Sequence, residues 1–125
     1  MENSDTRAVL NMIEIRDRLM NSDELVTQVI DIFIQDTPAR LVRLGESLAS
    51  GDMADATLQS HSIKGAASTV SADRVCQVAL DMEKACRAGK DADKVMSLLP
   101  ALEREFEALR LFVRKMRGSE AAQNG

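Results

Sequence analysis

The chain has 125 residues, a net charge of −4 and 45 % apolar residues, which suits one soluble domain with one core. Trp and Tyr are absent and Phe occurs three times, so the core must consist of aliphatic residues, as is typical of helix bundles. The acidic charge argues against nucleic-acid binding, and no apolar run is long enough to cross a membrane.

A short first helix is predicted from about Thr6 to Met20, with Ile13, Leu19 and Met20 as the residues that dock it on the core. A second helix is predicted to start after Ser22, which is a good N-cap, and to run to about Gln35. Its apolar residues recur at helical spacing; they are Leu25, Val29, Ile32 and Phe33.

The stretch "DTPARL" is a second helix-start signal, because Thr37 can cap a helix and Pro38 suits its first position. The apolar stripe that follows contains Leu41, Leu44 and Leu48. The sequence "SGD" then predicts the end of this helix.

Two further helices are predicted over about 52–70 and 71–88, with Asp52 and Ser71 as their N-caps. The first of them carries His61, which is the only histidine of the chain. Asp91 begins a last helix, in which Pro100 is expected to cause a kink or a local break before the end at about Arg117.

These elements predict an all-α fold, an up-and-down antiparallel four-helix bundle with a short N-terminal helix. We expect one domain over residues 1–125, with a core over about 22–117 and loose ends at 1–5 and 118–125.

The lone histidine is predicted to point away from the core. A helix turns about 100° per residue, so the apolar side of its helix carries an inward stripe, and His61 lies roughly 140° from it. The inward stripe consists of Ala56, Ser60, Ile63, Ala67 and Val70. The outer face around His61 consists of Ala54, Leu58, Gly65 and Ser68, with Lys64 at its flank.

This outer face is unusual, because a solvated helix face normally carries Glu, Lys and Arg. A glycine inside a helix costs about 0.5–1 kcal/mol relative to alanine. Its benefit here is open space beside His61, while Lys64 can place a positive charge near an incoming anion. The pattern indicates an accessible nucleophile, although a single surface histidine is more often incidental, and Gly65 could serve only for close helix packing.

Other kinds of site fit the residues less well. A bundle metal site needs several inward-facing ligands, whereas this chain has one outward histidine, and no metal is expected. A hydrolytic site needs a nucleophile with an orienting acid, and none lies at motif spacing from His61. Cys76 and Cys86 are too few for a disulfide framework and are expected to be core or core-edge residues. With no signal peptide, they favour a cytoplasmic protein.

The segment "HSIKGAASTVSADRV" resembles the signature of histidine phosphotransfer (HPt) domains. His61, Lys64 and Gly65 match in place, and Ile63 replaces the usual leucine. The segments "FIQDTPARLVRLGESLASGD" and "ALDMEKACRAG" are also similar to family segments, so that the resemblance covers roughly 23–112. The main departure is Ser71, where the family usually has glycine; serine is expected to end the helix differently, by capping the next one.

The resemblance implies a four-helix bundle that carries a phosphoryl group and has no cofactor and no nucleotide site of its own. It implies His61 as the phosphoacceptor, through Nε2, with Lys64 stabilising charge, Gly65 providing clearance and Glu83 orienting the ring through Nδ1. The expected docking residues for a receiver domain are Ala54, Leu58, Ser68, Gln77 and Leu80.

The implied partners are the receiver domain of a response regulator and a sensor or hybrid histidine kinase, with the protein acting as a monomer. The alternative is a helical adaptor that binds a receiver or a kinase without carrying phosphate. A domain excised from a hybrid kinase is a third interpretation; the starting Met favours a stand-alone protein.

Overall fold

The computed structural model describes residues 7–124 of the chain, and the side chains of residues 7–119. This part of the chain forms six helices and no strand, which confirms the all-α prediction. The helices are α1 (Met12–Arg18), α2 (Asp23–Ser50), α3 (Met53–Thr69), α4 (Asp73–Arg87), α5 (Ala92–Met96) and α6 (Leu99–Asn124).

The bundle consists of α2, α3, α4 and α6. Helix α3 packs between α2 and α4, and α6 packs against the same two helices. Large aliphatic side chains from all four helices are fully buried between them, and Phe33 meets Phe106 edge to face with ring centroids 5.7 Å apart. Each such side chain contributes about 1.5–3 kcal/mol by leaving water, so this core holds α3 in place.

The inward stripe predicted for α3 is confirmed. All five predicted inward residues of α3 are buried, and so are their counterparts on α4, which are Val75, Ala79, Met82 and Cys86. Cys76 is half-buried at the edge. Burial raises the pKa of both thiols, which disfavours the reactive thiolate.

The first helix is shorter than predicted and docks differently. It begins at Met12 with Asn11 as its N-cap, and its buried residue is Ile15. Ile13 and Met20 are exposed by 86 % and 84 %, so they are not docking residues, and Leu19 is half-buried. Ile13 lies two residues before the buried Ile15, about 200° around the helix, and therefore faces outward. Met20 lies in the left-handed turn after the helix.

The predicted break before Pro38 is wrong, because α2 continues through it. Pro38 lacks the N–H that would bond the carbonyl four residues earlier, a defect of about 3 kcal/mol in an isolated helix. Buried Phe33, Thr37 and Leu41 keep both halves against the core, and this packing outweighs the defect. The inward stripe of the first half is also shifted, since Leu25 and Ile32 are exposed and Val26 and Ile30 are buried.

The break near Pro100 is confirmed. The predicted last helix divides into α5 and α6, and Pro100 lies in the first turn of α6, where its missing N–H needs no partner. Helix α6 continues past the predicted end at Arg117 as far as Asn124. Residues 1–5, predicted to be loose, and Gly125 lie outside the described residues.

The sequence predicted Ser71 as the N-cap of α4, but Ser71 does not cap this helix. It adopts the left-handed conformation (φ 58°) that glycine normally provides at the end of a helix. The N-cap of α4 is Ala72, whose N–H donates to the carbonyl of Ala67 at 2.9 Å. Ser71 is buried, and its hydroxyl donates to Glu14 Oε1 of α1 at 2.7 Å. Contact with α1 therefore compensates for the unfavourable backbone conformation.

Candidate functional site

The outer face of α3 is the surface on which the predicted site residues meet. His61 projects from it with its side chain 56 % exposed. Ala54, Leu58, Gly65 and Ser68 are all exposed as well. The buried stripe on the opposite side of α3 explains this orientation, because a helix with one side in the core must turn the other side outward.

Glu83 of α4 is the direct partner of the imidazole. Its Oε2 lies 2.9 Å from His61 Nδ1, and its side chain is only 5 % exposed. Because Met82 and Cys86 anchor α4 in the core, the intervening Glu83 is held against α3 beneath the histidine. The contact between Nδ1 and Glu83 that the resemblance implied is therefore present.

Two cations hold the Glu83 carboxylate in place. Lys64 Nζ lies 2.8 Å from Oε1, and Arg87 donates to Oε2 from Nη2 at 2.8 Å and from Nε at 3.1 Å. Lys64 and then Arg87 lower the pKa of Glu83 to about 2, against the opposing effect of burial. The carboxylate is therefore ionised at neutral pH, and with two cations around it the cluster carries net positive charge.

An ionised Glu83 determines which nitrogen of His61 carries the proton. A carboxylate only accepts hydrogen bonds, so Nδ1 must donate to Oε2. In the neutral ring Nε2 then has no hydrogen and keeps a free lone pair. Within the side chains that the structure describes, Nε2 has no hydrogen-bond partner.

Gly65 lies one turn beyond His61 on the same face. A Cβ atom added to this glycine would meet nothing within 4 Å, apart from the backbone of its own helix. Gly65 is in regular helical conformation, so no backbone strain requires glycine there. Open space next to the imidazole is therefore what this residue provides.

The five predicted docking residues divide into two groups. Ala54, Leu58 and Ser68 are exposed on the face of His61, and Leu58 is 55 % exposed despite its apolar side chain. Gln77 and Leu80 of α4 are half-buried. Gln77 donates to Asp81 at 2.9 Å.

Arg87 is the site residue that the sequence analysis did not identify. Its spacing of four residues from Glu83 on one helix is a usual signal for an ion pair. The link to His61, however, becomes visible only when α3 and α4 are packed together.

Among the described residues, no three His, Cys, Asp or Glu side chains lie close enough together to hold a metal ion. In the same part of the chain, no helix is both long and apolar enough to span a membrane.

Comparisons with known proteins agree with this geometry. The sequence matches the family profile described as Hpt domain over residues 28–112. No curated protein sequence matches the chain.

Two solved structures share the fold. One is the histidine-containing phosphotransfer protein B (HptB) from Pseudomonas aeruginosa PAO1, with a TM-score of 0.80 and 23 % identity over 91 % of this chain and 98 % of that one. The other is the HPT domain of a sensor hybrid histidine kinase from Shewanella, with a TM-score of 0.69 and 14 % identity over 86 % of this chain and 95 % of that one. The profile match spans well over half of the sequence and contains His61, Lys64, Gly65 and Glu83, and the chain therefore belongs to the Hpt domain family of histidine phosphotransfer proteins.

Proposed function

We propose that this phosphorelay protein carries its phosphoryl group on Nε2 of His61. The observation that carries the proposal is the contact between His61 Nδ1 and the ionised Glu83, which leaves Nε2 unprotonated on a side chain that is more than half exposed. The experiment that tests it is incubation with a phosphorylated receiver domain, followed by identification of the labelled residue.

The chemical step follows from this tautomer. The Nε2 lone pair attacks the phosphorus of a receiver's aspartyl phosphate, so that an N–P bond forms as the bond from phosphorus to the aspartate oxygen breaks. The ring gains positive charge while its proton stays on Nδ1. The Glu83 carboxylate at 2.9 Å stabilises that charge. The reverse step returns the phosphoryl group to a second receiver.

The cations of the cluster support the arrival of an anionic phosphoryl group. Lys64 and Arg87 share a single carboxylate, so their positive charge is only partly neutralised. Transfer of this type depends mainly on positioning and on charge stabilisation. The chain's own residues provide both, and we infer that it needs no nucleotide site or cofactor of its own.

Hpt domains exchange phosphoryl groups with receiver domains and kinases in phosphorelays. For this chain we infer docking of a response regulator receiver on the α3 face, with Leu58 and Ala54 as its apolar part and Ser68, Gln77 and Leu80 at its margins. Docking of modest area suits a carrier that must release one partner before it meets the next. We also infer that the protein acts as a monomer in the cytoplasm.

Substitution of Lys64 by alanine is expected to slow transfer about tenfold, which corresponds to roughly 1.4 kcal/mol of lost charge stabilisation in the transition state. The fold should persist, because Lys64 is partly exposed and Arg87 still pairs with Glu83. The measurement is the rate of transfer from a phosphorylated receiver. Lys84→Ala, an exposed lysine of α4, is the matched control. Equal rates in the two variants would contradict a role for Lys64.

Substitution of Gly65 by leucine is expected to block phosphoryl transfer while the protein stays folded, because the new side chain fills open space beside the imidazole. Gly65→Ala should raise the free energy of unfolding by about 0.5–1 kcal/mol. Gly118→Leu on α6 is the matched control, since that helical glycine also has open space around it. Transfer at the normal rate in Gly65→Leu would remove the argument for clearance.

A further inference from the structure

A groove between α2 and α6 is lined by arginines. Arg110, Arg114 and Arg117 lie three and four residues apart, so they share one side of α6. With Ile34 of α2 and Val113 they surround an open groove of about 340 Å³. This is a concentration of positive charge on a chain whose net charge is −4.

The arginines of the groove can donate further hydrogen bonds, because each guanidinium group has five N–H donors. Arg117 pairs with Asp31 at 2.8 Å, and Arg110 pairs with Glu107 at 3.0 Å. Arg114 has no partner among the side chains of residues 7–119. The segment 110–117 also contains Lys115 and no acidic residue, so the groove has an excess of positive charge.

The groove lies away from His61. Helix α3 packs on α2 and α4 from one side, and α6 packs on the same two helices from the other. The groove also opens between α2 and α6, while Glu83 and His61 meet between α3 and α4. A partner bound at the groove would therefore leave the α3 face free.

We propose that the α2–α6 groove binds an acidic segment of another protein, with carboxylates on Arg110 and Arg114 and an apolar side chain against half-buried Ile34, over the buried Val113. Guanidinium groups donate strong hydrogen bonds to carboxylates. Two of these arginines already make one such contact each, with Asp31 and Glu107 beside the groove. A nucleic acid fits less well, because the lining of the groove offers arginines but no aromatic side chain on which bases could stack. An anionic membrane fits less well, because the exposed apolar residues of this segment are only Leu111 and Phe112, each less than half exposed.

The test uses a fluorescent peptide rich in Glu and Leu, and the same peptide with Gln in place of Glu. Fluorescence anisotropy should show binding of the Glu peptide only, weakened by salt because exposed ion pairs are screened. Arg110→Gln/Arg114→Gln should weaken binding about tenfold, the effect of roughly 1.4 kcal/mol. Lys90→Gln/Lys94→Gln changes the net charge equally and should bind like the unmodified protein.

Several results would overturn the proposal. They are equal binding of the two peptides, unchanged binding by Arg110→Gln/Arg114→Gln, and binding of phosphatidylserine vesicles without binding of the Glu peptide. A dimer that dissociates on the same double substitution would assign the groove to a second copy of the chain. Thermal melts check folding, with Arg114→Gln as a milder variant. His61→Gln should bind the peptide normally, which separates this site from phosphotransfer.

Discussion

Replacement of His61 by glutamine is expected to abolish phosphoryl labelling of the protein by a phosphorylated receiver domain. Glutamine has no nitrogen lone pair that can attack phosphorus, whereas Nε2 of the Nδ1-protonated imidazole has one. The label on the unmodified protein should be lost in acid, as is typical of a phosphorus–nitrogen bond. The measurement is transfer of radioactive phosphate, followed by acid treatment and mass spectrometry of the labelled peptide.

The fold of His61→Gln should be little changed, because the side chain is more than half exposed. Its loss removes one hydrogen bond, with a net effect of about 0.5–1.5 kcal/mol on the free energy of unfolding. Ser62→Ala is the matched control, since Ser62 is the neighbouring hydroxyl, and it should label normally. Persistent, acid-stable labelling of His61→Gln would show that another residue accepts the phosphate.

The same experiment decides between the proposed carrier and an adaptor without phosphate. An adaptor would bind a receiver but would remain unlabelled in its unmodified form. An adaptor that carries no phosphate would have no use for a buried carboxylate paired with both Lys64 and His61. That arrangement has a clear use in transfer, because it determines the tautomer of the ring.

Periodicity within one helix was enough to orient His61, because α3 has a continuous buried stripe and 3.6 residues per turn fix the opposite face. The arrangement of Glu83 depended on contact between two helices. The distance from Glu83 to His61, and the part played by Arg87, follow from the packing of α4 on α3, which no local pattern encodes.

The wrong predictions at Pro38 and Ser71 have a common physical origin. Pro38 and Ser71 were assessed by local preference, and in both cases tertiary contacts override that preference. Buried neighbours carry α2 through Pro38, and α1 supports the left-handed backbone of Ser71 through Asn11 N–H and Glu14. Local signals therefore predicted which segments are helical better than they predicted where each helix ends.

Substitution of Glu83 by glutamine is expected to lower the free energy of unfolding by about 1–3 kcal/mol near neutral pH. Glu83 has a pKa of about 2 in the folded protein, below its ordinary value of 4.5. That difference corresponds to at most roughly 3 kcal/mol. Lys64 and Arg87 are partly exposed, so water can partly solvate their charges when the carboxylate is removed.

The sign of the pH dependence follows from the lowered pKa. The folded state binds the proton of Glu83 less readily than the unfolded state does, so Glu83 stabilises the fold fully above its ordinary pKa of 4.5. This contribution is lost as the pH falls from there towards 2, the value in the folded protein. The stability difference between the unmodified protein and Glu83→Gln should therefore be constant above about pH 5 and should shrink below it.

Urea unfolding at a series of pH values between about 7 and 2.5 measures this difference directly. Other carboxylates also titrate in this range, but their effect cancels when the two proteins are compared. Glu103→Gln, an exposed acid on α6 with no partner among the described side chains, is the matched control and should change stability little at any pH. If the difference between Glu83→Gln and the unmodified protein stayed constant down to about pH 2.5, then Glu83 would not have a lowered pKa in the fold. The ion pairs with Lys64 and Arg87 would then not stabilise the fold, and they could not be what holds the carboxylate beneath His61.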